Sequence, residues 1–295
     1  KSLLQETCSH PAIIVAPELF ARHIAALNRH FVCLGLAEFS NRLERRDFTG
    51  APYCLITFDD AWQDNHTYAF DVLKRAHTPA VIFVPVDYIG SGKLFWQERL
   101  GHIVDQICTR QPATAAQILA KYGWDHLHAL PHPQRIVAIR SAIRDIKHKD
   151  YAEIDRITAD LEAALGESVR DYSPDTYLSV AQMREMAREG ISFQSHACTH
   201  RVLTRLPAEE LERELTVSRQ WLREHLGIEP AALAYPNGDH SPEVQRLAAK
   251  AGYRLAFTTV SGCVDTQGDP FTVRRINLND NAAGSEARLL LTLLI

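Results

Sequence analysis

Residues 53–60 read Tyr53-Cys54-Leu55-Ile56-Thr57-Phe58-Asp59-Asp60, an apolar run that ends in two adjacent carboxylates. The apolar run is typical of a buried strand. Because successive side chains of a strand point to opposite faces, we expect Asp59 and Asp60 to point in different directions. One carboxylate can then bind a metal ion while the other faces a reacting water molecule. The simpler interpretation of the pair is a turn or a helix N-cap, where Asp is common.

A second apolar run, Ile191-Ser192-Phe193, leads into residues 195–200, which read Ser195-His196-Ala197-Cys198-Thr199-His200. The spacing of four brings the rings of His196 and His200 to one face if this segment is a helical turn. One carboxylate and two imidazoles suit a divalent transition metal, and three protein ligands leave coordination positions open. Surface polarity after a strand is the simpler alternative for the two histidines.

Strand-like and helix-like segments alternate along most of the chain, which predicts βα units and a parallel sheet wound into a barrel. The predicted strands cover residues 53–58, 80–85, 191–194, 231–235 and 254–259, and the predicted helices cover 17–30, 67–77, 180–189, 208–225 and 242–251. In such barrels the catalytic groups lie at the carboxyl ends of the strands. Both motifs follow strands, so we expect them to meet on one rim as the site of a metal-assisted hydrolase.

The stretch from about residue 95 to 175 interrupts this alternation, because it is polar, helix-rich and without strong β runs. We interpret it as a helical insertion in a single domain that spans residues 1–295. Two roles are open for it: a wall or lid of a substrate cleft, or a packed helical appendage.

The composition argues against several classes of function. Lys and Arg number 32 against 36 Asp and Glu, a net charge of −4, without the clustered cations of a nucleic-acid surface. The longest apolar runs are far shorter than the roughly 20 residues of a membrane span. Six cysteines are scattered without a CxxC pair, which favours a reduced, cytoplasmic protein, with an exported form as the alternative. These patterns leave the oligomeric state undetermined.

A third motif, Ala234-Tyr235-Pro236-Asn237-Gly238, follows another predicted strand. Pro and Gly around Asn favour a tight turn, which can direct a backbone N–H into the cleft. Such a donor would stabilise the oxyanion of a tetrahedral intermediate. The N–H of Tyr235 and that of Asn237 are the candidates, and we favour Asn237. An ordinary βα turn explains the same residues equally well.

Three segments together resemble a known family: "LITFDDAWQDNHTYAFDVLKRAHTPAVIFV" (55–84), "SHACTH" (195–200) and "LAYPNGD" (233–239). In order and spacing they are similar to the first three motifs of polysaccharide deacetylases with the NodB-type homology domain, also called carbohydrate esterase family four. The resemblance implies a distorted (β/α)7 barrel and a divalent metal, usually Zn²⁺, with Co²⁺ or Ni²⁺ as alternatives. It also implies hydrolytic removal of acetyl groups from N-acetylated or O-acetylated sugars. Deacetylases of bacterial surface-polysaccharide biosynthesis are the members that the motifs resemble most.

The resemblance assigns roles residue by residue. Asp59 corresponds to the catalytic base, and Asp60 to a metal ligand together with His196 and His200. The turn that forms a groove and supplies the oxyanion-hole amide corresponds to Pro236 and Asn237. We assign substrate binding to Trp62, Tyr235 and Pro236.

The chain departs from the family pattern at two places near the base. Many members have Gly after the Asp pair, where this chain has Ala61-Trp62, and the bulky Trp62 is expected to shape the cleft. The third motif commonly begins with an Arg that holds the base, and here that residue is Ala234. We expect a nearby cation to replace it, either Arg274 or Arg275. Arg275 is favoured, because an Arg before Ile resembles relatives with this form of the third motif.

The family's general acid is also missing. The last motif usually supplies a His within Leu-x-x-His, whereas this chain reads Ile276-Asn277-Leu278-Asn279-Asp280. His240 follows the third motif and is a candidate, but an exposed loop histidine is the favoured interpretation. A protonated Asp59 or a water molecule is then left to deliver the proton to the leaving amine.

The sequence therefore predicts a metal-dependent carbohydrate deacetylase, a hydrolase of non-peptide C–N bonds. Its expected substrate is an acetylated sugar of a bacterial poly- or oligosaccharide. Two alternatives stay open. One is a carbohydrate-binding protein that keeps the metal without catalysis, and the other is a hydrolase of small-molecule amides on the same scaffold.

Overall fold

A computed structural model describes residues 15–166, 176–279 and 283–293. These residues divide into two compact units. The barrel unit consists of residues 15–91 and the described residues from 176 onward, and the helical unit consists of residues 92–166. The assignment of the whole chain to a single domain with an insertion stays a prediction.

The barrel unit is built on parallel strands: β1 Val32–Cys33, β2 Tyr53–Cys54, β3 Thr57–Phe58, β4 Ala80–Val84, β5 Ile191–Ser195, β6 Ala232–Ala234, β7 Leu255–Ser261 and β8 Val273–Arg275. Strands β3 to β8 are hydrogen-bonded side by side in chain order as a six-stranded sheet, and β1 pairs with β2 in a second sheet. All of these pairs are parallel. The predicted α/β barrel class is confirmed.

The predicted strand 53–58 is two short strands, because its halves pair with different neighbours. Tyr53 is the register partner of Val32 on β1, whereas Phe58 is the partner of Ile82 on β4. If this run is counted as one strand, the described residues form seven strands in succession in the two sheets, the number that the family resemblance implies.

Helices cover the strands of the barrel unit: α1 Pro17–His30, α2 Leu36–Arg45, α3 Asp71–Arg75, α8 Val180–Arg188, α9 Ala208–Leu226, α10 Pro242–Ala251 and α11 Glu286–Leu293. The predicted helix 67–77 is a π-helical turn, Asn65–Phe70, that continues into α3. Helix α8 begins with a capping box, in which Ser179 Oγ accepts from the Gln182 N–H and the Gln182 side chain accepts from the Ser179 N–H.

The buried strand β4 shows how the sheet separates two cores. Val81 and Phe83 pack on one face with α2 and with the apolar residues Ala232, Ala234, Leu255, Phe257 and Val273. Ile82 and Val84 pack on the other face against the helices, with Ile24, Leu27, Leu73, Met183, Met186 and Leu222. Both faces are apolar, as expected for a parallel sheet covered on both sides.

The helical unit has a core of its own. Its helices are α4 Trp96–Arg110, α5 Ala115–Ala120, α6 His132–Ile146 and α7 Tyr151–Leu165. They pack around an apolar cluster that includes Leu100, Ile103, Ile107, Leu119, Leu127, Ile139, Ile157 and Leu161. A bidentate ion pair joins Arg99 on α4 to Glu162 on α7, with N–O distances of 2.7 and 2.6 Å. Residues 167–175 of the predicted insertion lie outside the described residues, and its role as a wall or lid stays a prediction.

Two other sequence-based expectations can be compared with the described residues. Among the helices there, none is long and apolar enough to cross a bilayer. The cysteines there are free thiols: Cys33, Cys54, Cys108, Cys198 and Cys263. Cys33 and Cys54 are register partners on β1 and β2, with their sulfur atoms 3.4 Å apart. The cytoplasmic location stays a prediction.

Candidate metal and catalytic site

The motif residues follow strands of the six-stranded sheet at its carboxyl edge. Asp59 and Asp60 follow β3, the two histidines follow β5, and the turn with Asn237 follows β6. Arg275 is the last residue of β8. Because parallel strands end at the same edge, these groups share one rim.

Asp60, His196 and His200 converge on a single point. One oxygen of the Asp60 carboxylate, Oδ1, lies 3.5 Å from His196 Nε2 and 3.2 Å from His200 Nε2. Three possible ligand atoms, one from each residue, lie within 4.8 Å of one another. The buried Oδ1 atom accepts no hydrogen bond within the described part of the chain. A buried carboxylate oxygen facing two imidazole nitrogens fits a divalent cation, so these residues suit the predicted metal.

The ring of His196 is held by a backbone carbonyl on the side away from Asp60. Its side chain is only 2% exposed, and its Nδ1 atom lies 2.7 Å from the Ala234 carbonyl oxygen. A carbonyl can only accept, so Nδ1 carries the proton and donates it. In the neutral ring the lone pair then belongs to Nε2, which faces Asp60, and this tautomer is the one found in metal-binding histidines.

His200 is neutral at ordinary pH, as a metal ligand must be. Burial lowers the pKa of His200 to about 4, although the nearby Asp60 carboxylate acts in the opposite direction. The two imidazole rings meet edge to face, with centroids 4.9 Å apart.

A helical turn does not bring the two histidines together, which corrects the expectation drawn from their spacing. Residues 196–200 form an irregular loop. Within it, φ is +62° at Ala197 and +55° at His200. Asp60, Ala61 and Asn237 on the same rim also have positive φ, at +73°, +52° and +61°. Such backbone conformations are costly for residues other than glycine and gather where a site demands them.

A residue that the sequence analysis missed holds the histidine loop. Glu214, on the buried face of α9, is only 6% exposed. Its Oε2 atom accepts from the backbone N–H groups of Cys198 and Thr199, at 2.6 and 3.0 Å, and its Oε1 atom accepts from Thr199 Oγ1 at 2.6 Å. The sequence contains one sign of this role. Glu214 lies between Leu211 and Leu215 on the apolar face of an amphipathic helix, where a charged residue is unusual.

Asp59 is not one of the three residues that could hold a metal ion; it forms an ion pair with Arg275. The guanidinium donates two parallel hydrogen bonds to the carboxylate, of 2.7 and 2.8 Å. It also donates from Nε to the Thr258 carbonyl, at 2.9 Å. Burial by itself would raise the pKa of Asp59, but the charge and hydrogen bonds of Arg275, together with the nearby His196 and His200 rings, outweigh it and lower the pKa to about 2. Asp59 is therefore ionised at neutral pH.

The expected replacement for the missing Arg at position 234 is thus present in the structure. Of the two candidates, Arg275 contacts Asp59, and Arg274 is exposed on the other side of β8. The edge strand β8 reaches across to β3 and to the residue that follows it, because Arg275 contacts the Thr57 hydroxyl at 3.4 Å as well as Asp59. The six-stranded sheet is curled enough for its first and last strands to share one site.

The turn after β6 resolves the choice between two backbone donors. The Tyr235 N–H donates to the Phe257 carbonyl at 3.1 Å within the sheet, so Asn237 is the candidate that remains. Gly238 has a φ of +81°, and a Cβ atom there would lie 2.0 Å from Thr259 Oγ1. Glycine is therefore required at this position, which fixes the turn that presents Asn237.

The structure corrects two of the substrate-binding assignments. Tyr235 is fully buried, and its hydroxyl donates to the Phe271 carbonyl at 3.0 Å. Pro236 is buried as well. The Tyr235 side chain therefore presents no surface to a substrate, and little of Pro236 is accessible to one.

Trp62 and His240 follow different strands of this rim, β3 and β6. Trp62 is half-buried, and its indole N–H donates to Oδ2 of Asp60 at 3.2 Å. His240 packs against the Tyr235 ring, with centroids 5.4 Å apart, and its Nδ1 atom lies 3.2 Å from Gln245 Nε2. His240 lies in a loop, as expected, but it is partly buried rather than exposed. Asp280 of the last motif lies outside the described residues.

Comparisons with known proteins give a matching family and matching folds. A model of the family described as polysaccharide deacetylase matches residues 47–176 and 163–256. The protein YxkH of Bacillus subtilis (strain 168) is 28% identical over 109 residues, which cover 37% of this chain. That match spans 39% of the length of YxkH.

Solved structures share the fold over nearly the whole chain. The deacetylase PplD of Streptococcus pyogenes, solved in complex with acetate, superposes with a TM-score of 0.62 at 20% identity, covering 95% of this chain and 88% of its own. IcaB from Ammonifex degensii gives a TM-score of 0.59 at 16% identity, with coverages of 93% and 89%. A de-N-acetylase from Aggregatibacter actinomycetemcomitans gives 0.62 at 12% identity, with coverages of 97% and 95%. At these identities the likeness concerns the fold.

Proposed function

Because this chain belongs to the polysaccharide deacetylase family, we propose that it is a metal-dependent hydrolase that removes acetyl groups from an acetylated saccharide. The observation that carries the proposal is the pairing of two carboxylates with different partners. Asp60 faces His196 and His200, whereas Asp59 is held ionised by Arg275. One carboxylate is thereby assigned to the metal and its neighbour to proton transfer.

Zn²⁺ is the cation that we propose for Asp60, His196 and His200, because two imidazoles and one carboxylate are typical ligands of catalytic zinc. Co²⁺ and Ni²⁺ suit the same donors. When bound, such a cation supplies Lewis-acid polarisation of the acetyl carbonyl and makes water more acidic.

The chain's own residues supply the remaining steps. Asp59 accepts a proton from the attacking water, and Arg275 keeps it in the ionised form that this step requires. The Asn237 N–H donates to the carbonyl oxygen as negative charge develops there. The leaving nitrogen then takes a proton either from protonated Asp59 or from water, because the family's histidine is missing from this chain.

We propose an N-acetylated sugar unit of a bacterial poly- or oligosaccharide as the substrate, with O-acetylated sugars as the second choice. The support for this proposal is the family membership and the names of the structural neighbours, which include a de-N-acetylase. No nucleic acid is proposed as a partner, because the net charge is −4.

The test is acetate release from N-acetylated oligosaccharides by Zn²⁺-loaded protein. Asp59→Asn should reduce the rate by about 10²- to 10⁴-fold, the usual contribution of a general base. The metal content should not change, because Asp59 is not one of the three proposed metal ligands. Asp71→Asn, an exposed carboxylate on α3, is the matched control and should leave the rate unchanged.

Other outcomes separate the alternatives. An unchanged rate in Asp59→Asn would contradict the proposed mechanism. Stoichiometric metal without turnover of any acetylated sugar or generic acetyl ester would favour a carbohydrate-binding protein. Release of ammonia from small amides in place of acetate would favour a small-molecule hydrolase.

A further inference from the structure

The two oxygens of the Asp60 carboxylate have different environments. Oδ1 faces the two histidine Nε2 atoms at 3.5 and 3.2 Å. Oδ2 instead accepts a hydrogen bond from the Trp62 indole at 3.2 Å. We propose that Trp62 is a positioning residue for the metal ligand Asp60, an inference that rests on the proposed function. Its indole N–H occupies one carboxylate oxygen and thereby directs the other to the cation.

The backbone around Trp62 is fixed by pairing with residues 176–178. The Gln63 N–H donates to the Thr176 carbonyl at 3.0 Å, and the Leu178 N–H donates to the Ala61 carbonyl at 2.9 Å. Trp62 and Tyr177 form an antiparallel bridge at the centre of this pairing. The short ladder therefore sets the direction in which the indole leaves the backbone.

The indole ring itself is held by stacking. It lies against the Tyr177 ring, with centroids 4.8 Å apart and planes inclined by 22°. Tyr177 is buried and contacts the Tyr88 ring at 5.5 Å. The Tyr88 hydroxyl donates to the Thr199 carbonyl at 3.1 Å, directly before His200. The three rings thus connect the Asp60 loop to the His200 loop.

Asp60 has particular need of such a restraint. The terminal torsion of an Asp side chain is broad, so its carboxylate can rotate between two equivalent orientations. Its backbone also has a φ of +73°, a conformation that stable surroundings must maintain. A hydrogen bond to Oδ2 from a stacked indole limits rotation of the carboxylate and helps to maintain the backbone conformation of Asp60. Partners of metal ligands usually contribute a factor of about 10 to 100 in metal affinity.

Trp62→Phe tests the inference, because it keeps a stacking ring and removes the N–H donor. We expect the Zn²⁺ dissociation constant, measured by competition with a chromophoric chelator, to rise about 10- to 100-fold. The visible spectrum of the Co²⁺-loaded protein should change as well, because it reports directly on ligand orientation. Trp221→Phe is the matched control: Trp221 stacks on His225 at 4.2 Å, and its replacement should change neither readout.

A second variant covers the case in which Trp62→Phe fails to fold. Tyr177→Leu leaves the indole donor in place but removes the ring on which it stacks, so a smaller loss of Zn²⁺ affinity in the same direction is expected. Unchanged affinity and an unchanged Co²⁺ spectrum in the folded variants would overturn the role of Trp62. So would an equal loss in Trp221→Phe. If the unmodified protein binds no metal, the proposed function fails as well. If it binds metal and deacetylates, and Trp62→Phe has the same Zn²⁺ affinity and Co²⁺ spectrum, only this inference fails.

Discussion

At the level of single residues, the ion pair between Asp59 and Arg275 determines the state of the proposed base. The Asp59 side chain is 30% exposed and that of Arg275 15%, so the pair is only partly shielded from water. Two parallel hydrogen bonds fix the carboxylate plane as well as its charge. Arg275 thus has an orienting role as well as an electrostatic one.

Replacing Arg275 by Gln should raise the pKa of Asp59, because burial remains while the main cation is removed. Protonated Asp59 cannot accept a proton, so the acidic limb of the deacetylation rate should move to higher pH. The free energy of unfolding should fall by about 1–3 kcal/mol, less than the roughly 3–5 kcal/mol typical when one partner of a fully buried ion pair is removed. A pH–rate profile and urea unfolding measure the two effects.

Arg274→Gln is the control for this change, since the neighbouring residue is an exposed Arg on the same strand. It should leave both the profile and the stability unchanged. Identical pH–rate profiles for Arg275→Gln and the unmodified protein would show that Arg275 does not control Asp59.

At the level of elements, helix α9 positions a loop that belongs to another strand. Glu214 accepts from three donors of residues 198–199, between His196 and His200. The buried Ser218, one turn further along α9, contacts Ser195 at the end of β5 at 2.9 Å. The helix therefore fixes both the beginning and the middle of the histidine loop.

Glu214→Ala should weaken Zn²⁺ binding by about 10- to 100-fold, as expected when a partner that orients metal ligands is lost. It should also reduce the free energy of unfolding by about 1–3 kcal/mol, because buried N–H donors lose their acceptor. Chelator competition and chemical denaturation are the measurements. Glu210→Ala, an exposed glutamate in the first turn of the same helix, should have neither effect, and equal behaviour of the two variants would refute the role of Glu214.

At the level of the whole molecule, the cost of keeping His200 neutral links stability to pH. The pKa of His200 is lowered from its ordinary 6.5 to about 4 in the folded chain. Between these values the unfolded chain binds more protons than the folded chain, so the free energy of unfolding falls as the pH falls. Above about pH 6.5 His200 is neutral in both states and costs no stability. As the pH falls the cost grows, and it is complete at about pH 4.

Thermal unfolding of the metal-free protein between pH 8 and pH 4 should reveal this linkage. The melting temperature should fall across the window from about 6.5 to 4, and the fall should be shallower in His200→Gln, which has no titrating ring. Parallel curves for the two proteins would mean that His200 does not carry the pH dependence.

Local patterns were sufficient for much of this fold. The alternation of apolar runs and amphipathic helices predicted the βα units, and helices 17–30 and 242–251 have the predicted bounds. Periodicity and capping act over a few residues, so the sequence displays them directly. The split of the run 53–58 could not be predicted in this way, because it depends on which neighbouring strand each half pairs with.

The sequence by itself determined the chemical groups of the site, because Asp59, Asp60, His196 and His200 stand in short motifs directly after strands. The family resemblance gave each of them a role. The resemblance also offered Arg274 and Arg275 as partners of Asp59, but only the tertiary structure shows that Arg275 makes the contact and that Glu214 holds the histidine loop. Arg275 lies 216 residues from Asp59, and Glu214 reaches the histidine loop from a separate helix. Such partners are chosen by the curl of the sheet and the packing of helices on it, and no local pattern of residues encodes that geometry.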